Sequence, residues 1–285
     1  MKWKGRQASR NVEDRRGQRV GGKGIAGIGG GFGLILVIVF TLLNGGNPGD
    51  IVNNIGLGEP EQSSGTYEGS AREEEMADFV SVVLRDTEEV WTDIFAENGL
   101  TYREPTLVIY KDQVESACGI AGSAVGPFYC PGDQKLYIDL SFYDDLSQQF
   151  NAPGDFAMAY VVAHEVGHHV QTLLGTTDEI MPLRNEMSET QFNKYLVRFE
   201  LQADYYAGVW AHHAQGMGYL ESGDVEEALN AAHQIGDDTL QKQARGYVTP
   251  DSFTHGTSEQ RKRWFDKGFQ NGTIQGGDTF NAKNL

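Results

Sequence analysis

The sequence predicts an α+β domain, mostly helical with a small sheet, preceded by one transmembrane helix. Strand-like patterning is confined to residues 106–140 and helical spacing dominates after residue 154. That segregation suits α+β rather than an alternating α/β fold. Ahead of both lies a run of about twenty uncharged residues, 24–43, behind a basic amino terminus, the length a membrane-spanning helix needs.

The net charge of −17 is unevenly spread, because residues 1–23 carry eight Lys/Arg against two acids and leave the remainder at −23. Four parts follow. Residues 1–23 form a basic segment, cytoplasmic by the positive-inside rule, and 24–43 a signal anchor that contacts the lipid bilayer. A cleavable signal peptide would need a small-x-small site, which Asn44-Gly45-Gly46-Asn47-Pro48 does not offer. The G-x-x-x-G spacings Gly27/Gly31 and Gly29/Gly33 could permit a homodimer, although glycine richness alone accounts for them. Residues 44–70, rich in Gly, Asn, Pro, Ser and acids, cannot bury enough surface to fold and read as a flexible linker. Residues 71–285 suffice for one well-cored domain on the far side of the membrane.

Within that domain Met76, Phe79, Val80, Val83, Leu84, Trp91, Ile94 and Phe95 repeat at helical spacing up to Asn98-Gly99. Residues 106–110 and 135–140 read as strands, the second alternating Leu136, Ile138 and Leu140 with Tyr137, Asp139 and Ser141. Pro131-Gly132-Asp133 between Tyr129 and Leu136 marks a hairpin. Pro153-Gly154-Asp155 is a break with Asp155 as N-cap, and Gly175 is a stop, so residues 156–174 read as one helix.

That helix carries His164-Glu165-Val166-Gly167-His168. Histidines at i and i+4 share a side of a helix, so both imidazoles can reach one zinc ion. Glu165 sits beside them, placed to act on a water as general base without being a ligand. Val162, Val166, Val170 and Leu173 form the opposite stripe. His169 points away from His168 and reads as a packing or hydrogen-bonding residue. Residues 193–213 form a further helix in which Leu196, Val197, Glu200, Ala203, Asp204, Ala207, Gly208 and Ala211 share a face. Small residues there permit close approach of another helix, and two carboxylates in such a strip are costly unless paired or metal-bound. Glu200 is the expected third ligand and Asp204 the acceptor of a ligand histidine's second N–H, with Asp204 as ligand the main rival.

At these residues the chain resembles the neutral zinc metallopeptidase family of bacterial membrane proteins, a branch of the gluzincin-like, zincin-fold peptidases. The resemblance runs from Met1-Lys2-Trp3-Lys4-Gly5-Arg6 and the segment 11–16, through Ala117-Cys118-Gly119 and the segment 126–131, to HEVGHHVQ from His164 and Glu200-Leu201-Gln202-Ala203-Asp204. It implies a zinc-dependent peptidase with a peptide or protein substrate, anchored in the bacterial inner membrane, and implies no particular substrate. Zincin sites usually lie under an edge strand that pairs with a peptide, and the 131–133 hairpin is the candidate. Phe253-Thr254-His255-Gly256 is similar to a segment of related membrane zinc peptidases in which His-Pro precedes an Arg six residues after the His; here glycine replaces the proline. Thr257 and Gln260 form an expected capping box, which puts His255 on the loop entering the helix of Arg261, Trp264 and Phe265. There His255 either donates to a developing oxyanion or merely orders the helix start.

Cys118 and Cys130 can form a disulfide if the domain is extracytoplasmic, contributing about 3 kcal/mol in the chain-entropy model; reduced core thiols are the alternative. No P-loop, dinucleotide fingerprint or basic patch outside the amino terminus is present, which argues against nucleic acid as a partner. The expected activity is peptide-bond hydrolysis with Zn2+ on His164, His168 and Glu200. The rival from another class is a membrane-tethered interaction protein that keeps the fold without turnover, for which the intact Glu165 has no use.

Overall fold

The computed structural model describes residues 1–18 and 67–285. Among them, β1 (Val12–Asp14) is followed by α1 (Ala71–Glu97), then β2 (Thr106–Tyr110), β3 (Gln113–Ser116), β4 (Gly119–Gly122), β5 (Phe128–Cys130) and β6 (Lys135–Asp139). Helices complete the chain: α2 (Phe142–Gln148), α3 (Asp155–Leu173), α4 (Thr176–Ile180), α5 (Glu189–Gly216), α6 (Asp224–Gln234), α7 (Asp237–Arg245) and α8 (Ser258–Asn271). The architecture is helix-rich α+β.

The sheet order is β1-β2-β6-β5, with β1 and β6 parallel to β2 and β5 antiparallel to β6. Both faces of its centre are buried, so β2 and β6 read as continuous apolar runs. Leu107, Ile109, Leu136 and Ile138 join the main core beneath the helices. Val108, Tyr110, Phe128 and Tyr137 form a second cluster on the other face, where Phe128 and Tyr137 stack at 4.7 Å. The β3–β4 hairpin covers that cluster, and the disulfide Cys118–Cys130 ties the hairpin to β5.

α3 is buried along almost its whole length, between α1, α5, α6 and the sheet. Glycines let the helices meet. A Cβ on Gly167 would lie 2.8 Å from the carbonyl oxygen of Ala203, which brings the middle of α3 directly onto α5. On the other side of α5 a Cβ on Gly208 would meet the Phe265 carbonyl at 2.0 Å, and one on Gly268 the Tyr205 carbonyl at 1.9 Å, so α8 is pressed onto α5 backbone to backbone.

Three expectations differ from these findings. Asp155 is not an N-cap: Gly154, at φ +119°, holds that position and Asp155 opens α3, its carboxylate 2.7 Å from the amino group of Met1. Residues 67–70 belong to the fold rather than to a free linker, since Ser70 caps α1 through a reciprocal bond with Glu73 and Tyr67 donates to Glu73. Residues 1–18 are not a segment apart from the domain, because they supply β1, the edge of its sheet. Among the described residues no helix is long and apolar enough to cross a membrane; the expected anchor, 24–43, its glycine spacings, and the linker up to residue 66 lie outside them.

Candidate metal centre

His164 and His168 leave α3 one turn apart, and α5, held close by the Gly167–Ala203 approach, brings Glu200 to them. Glu200 Oε2 lies 3.2 Å from His164 Nε2 and 3.5 Å from His168 Nε2. All three residues are buried. Their three donor atoms form a group that could hold a metal ion.

The other nitrogen of each histidine is accounted for. Nδ1 of His164 is 2.8 Å from Asp204 Oδ1, and Nδ1 of His168 is 2.8 Å from Gln171 Oε1. Gln171 is itself oriented, since its amide nitrogen donates to the Phe199 carbonyl and to Gln202 Oε1. With both Nδ1 atoms turned to acceptors, both Nε2 atoms converge on a carboxylate oxygen. Such a cluster calls for a positive charge in its midst, and two imidazoles with one carboxylate are a donor set suited to zinc. The electrostatics agree: burial opposes protonation of His164, but Asp204 and Glu200 outweigh it and raise its pKa to about 9. Glu200 is held well below the ordinary carboxylate range, its burial overcome by His168, His255 and His164.

Asp204 has neither oxygen to spare. Tyr160 donates to Oδ1 at 2.5 Å, and Arg261 of α8 donates to Oδ2 through Nε at 2.8 Å and to Oδ1 through Nη2 at 2.9 Å. Arg261 also donates to Tyr160 Oη. The Asp204 pKa lies well below normal, because Arg261 and His164 overcome the penalty of full burial.

Glu165 is buried beside the histidines, and its pKa is raised, by burial first, against the pull of His164 and His168. Tyr129 of β5 lies close enough for its backbone N–H to pull that pKa down in part. The expected hairpin therefore forms, and its outer strand lies at the sheet edge beside Glu165. His169 helps to fix that strand: its Nε2 is 2.6 Å from the Arg103 carbonyl and its Nδ1 3.1 Å from Tyr129 Oη. Nε2 donates and Nδ1 accepts, so the ring is neutral, and burial lowers its pKa to about 4.

His255 is buried near enough to Glu200 for their charges to interact. Its pKa is raised, with Glu200 and Asp237 outweighing burial. Its loop is built on one carboxylate oxygen, Asp237 Oδ2, which accepts the N–H groups of Thr254, His255 and Gly256 at 2.7, 2.7 and 3.0 Å. Nδ1 of His255 faces Thr254 Oγ1 at 2.9 Å and Asp237 Oδ1 at 3.4 Å. The capping box of Thr257 and Gln260 is present. Gly256 has φ +93°, a conformation closed to proline, so the glycine in place of proline marks a different turn.

Sequence reasoning did not assign roles to Gln171, Arg261 and Asp237. Gln171 stands in the HEVGHHVQ stretch, three residues after His168, which was the available signal. Arg261 and Asp237 reach the site only through tertiary packing.

This arrangement is a two-histidine, one-carboxylate group that could hold a metal ion, set on a helix-rich α+β scaffold. The chain belongs to the family described as "Putative neutral zinc metallopeptidase", whose model matches residues 1–280. It is 49% identical to the uncharacterized protein YpfJ of Escherichia coli (strain K12) over 285 residues, covering 98% of this chain and 99% of that one. It is 44% identical to the uncharacterized protein Rv2575 of Mycobacterium tuberculosis (strain H37Rv) over 195 residues, 65% of each chain. No solved structure matches it.

Proposed function

We propose that the protein is a zinc peptidase that hydrolyses peptide bonds, with His164, His168 and Glu200 as ligands and Glu165 as general base. The observation that carries this reading is the pair of oriented imidazoles: Asp204 and Gln171 occupy both Nδ1 atoms and leave both Nε2 atoms turned to Glu200. Glu200 rather than Asp204 is the third ligand, because both Asp204 oxygens are already taken by His164, Tyr160 and Arg261. Zinc, when bound, supplies Lewis-acid activation of water and of the scissile carbonyl.

Glu165, buried and with a raised pKa, takes the water proton and returns it to the leaving amine. The peptide substrate lies along β5, whose Tyr129 backbone N–H is near the Glu165 carboxylate. His255, anchored by Asp237 and near enough to Glu200 for their charges to interact, donates to the developing oxyanion. No serine or cysteine nucleophile is required, so no covalent intermediate forms. The enzyme works at a bacterial membrane, with residues 24–43 as its contact with the lipid. A tethered protein without turnover has no use for a buried carboxylate in the position of Glu165.

The test compares peptides released from membrane and periplasmic extracts by wild type and by Glu165→Gln. The reading requires a set of cleavage products that appears with wild type and vanishes with Glu165→Gln at equal zinc content. Identical product sets would contradict it.

A further inference from the structure

The amino-terminal residues carry the family's opening sequence and a dense basic charge, and nothing in the metal centre uses them. We infer that residues 1–18 dock onto residues 67–285 as an integral edge of the domain, so that both lie on the same side of any membrane the protein meets. This goes beyond the peptidase reading and does not depend on it.

The docking surface is extensive and specific. β1 pairs in parallel with β2 from Val12↔Leu107 to Asp14↔Ile109. Hydrogen bonds extend it at both ends, from the Leu107 N–H to the Asn11 carbonyl at 2.8 Å and from the Arg15 N–H to the Ile109 carbonyl at 2.7 Å. Nearer the terminus the Ser9 N–H donates to the Ser81 carbonyl at 2.9 Å, and Trp3 packs edge-on against Phe79 at 5.4 Å.

The basic residues are used by the fold. Arg6 pairs with buried Asp86 and lies over the Tyr219 ring at 3.2 Å. Lys4 pairs with Glu75 at 2.6 Å, and Arg16, buried, with Asp14 at 2.5 Å and Glu74 at 2.9 Å. In return Lys135 of β6 reaches Glu13 at 2.6 Å. Lys4, Arg6 and Arg16, which look topogenic in the sequence, thus have partners within residues 67–285, and retention on the cytoplasmic face is not needed to explain these three.

The chain also leaves and rejoins the described fold at one place: a Cβ on Gly17 would lie 2.9 Å from Cβ of Tyr67. Paired strands are about 4.8 Å apart, whereas one crossing of a bilayer separates its flanks by a hydrocarbon core of about 30 Å. Residues 44–66 contain no second apolar run with which to return. A single crossing between residues 18 and 67 is therefore incompatible with β1 in its place. The expected arrangement, with the amino terminus cytoplasmic and the domain outside, gives way to one compartment for both.

The experiment uses the full-length chain in its native membranes. Single cysteines are added at exposed Gln7 (Gln7→Cys) and exposed Asp266 (Asp266→Cys), and a membrane-impermeant maleimide is applied to intact spheroplasts and to permeabilised ones, with the parent chain as blank. Both positions should label under the same condition, whether both from outside or both only after permeabilisation. Labelling of one in intact spheroplasts and of the other only after permeabilisation would overturn the inference. Hydrogen exchange on the purified full chain gives a second reading. The amides of Glu13 and Arg15, which point to β2, should be protected to a degree comparable with those of β2, and free exchange at these two would equally overturn it.

Discussion

Arg261 grips Asp204 through two parallel hydrogen bonds, Nε to Oδ2 at 2.8 Å and Nη2 to Oδ1 at 2.9 Å, with both residues fully enclosed. The pair joins α8 to α5 directly behind His164, so the last long helix of the chain sets the orientation of a ligand on α3.

Arg261→Met should therefore harm both stability and metal binding. Removing one partner leaves a buried, uncompensated carboxylate, a loss of about 3–5 kcal/mol. Loss of the residue that steadies a ligand's hydrogen-bond acceptor should weaken zinc affinity about 10–100-fold. Urea unfolding and competitive zinc titration measure the two effects. Unchanged zinc affinity would show that Asp204 needs no help in holding His164.

His169 predicts a pH dependence. Burial lowers its pKa from 6.5 to about 4, so the unfolded chain binds the proton more readily. Its contribution to stability is complete above pH 6.5 and is lost as pH falls through the interval from 6.5 to about 4, at up to about 1.4 kcal/mol per pH unit. Denaturation midpoints over that interval should fall more steeply for wild type than for His169→Gln. Parallel curves would mean that the ring is not held neutral between Tyr129 and the Arg103 carbonyl.

The helix contacts predict a contrast between two glycines. Gly268→Ala would drive a methyl into the Tyr205 carbonyl, and Gly216→Ala meets nothing within 4 Å. The first should cost about 1–3 kcal/mol; the second should be neutral or gain up to about 1 kcal/mol from the backbone entropy of glycine. Thermal melts decide it, and equal effects would refute the backbone-to-backbone packing of α8 on α5.

Much of the centre was legible because its parts are local. His164, Glu165 and His168 fall within two turns of one helix, and Glu200 and Asp204 stood out as carboxylates in a strip of small residues. The same strip announced the close approach now seen between Gly167 and Ala203. Arg261 was marked only by its place six residues after His255 in the resembling segment, and its grip on Asp204 depends on α8 packing against α5, a contact that no spacing in the sequence encodes. Asp237 lies distant in sequence from the His255 loop, yet it receives three N–H groups from it. β1 was hidden for a different reason. Val12–Asp14 is three residues long, two of them acidic, and is followed at once by Arg15 and Arg16, and a short edge strand has too little apolar patterning to be told from a charged tail.

The assignment of ligand and base is tested most directly by measuring zinc content and peptide turnover together on wild type, His168→Ala and Glu165→Gln. His168→Ala should lose zinc and turnover alike, while Glu165→Gln should keep about one zinc per chain and lose turnover by orders of magnitude. Glu165→Gln that retains full turnover with its zinc would contradict the account.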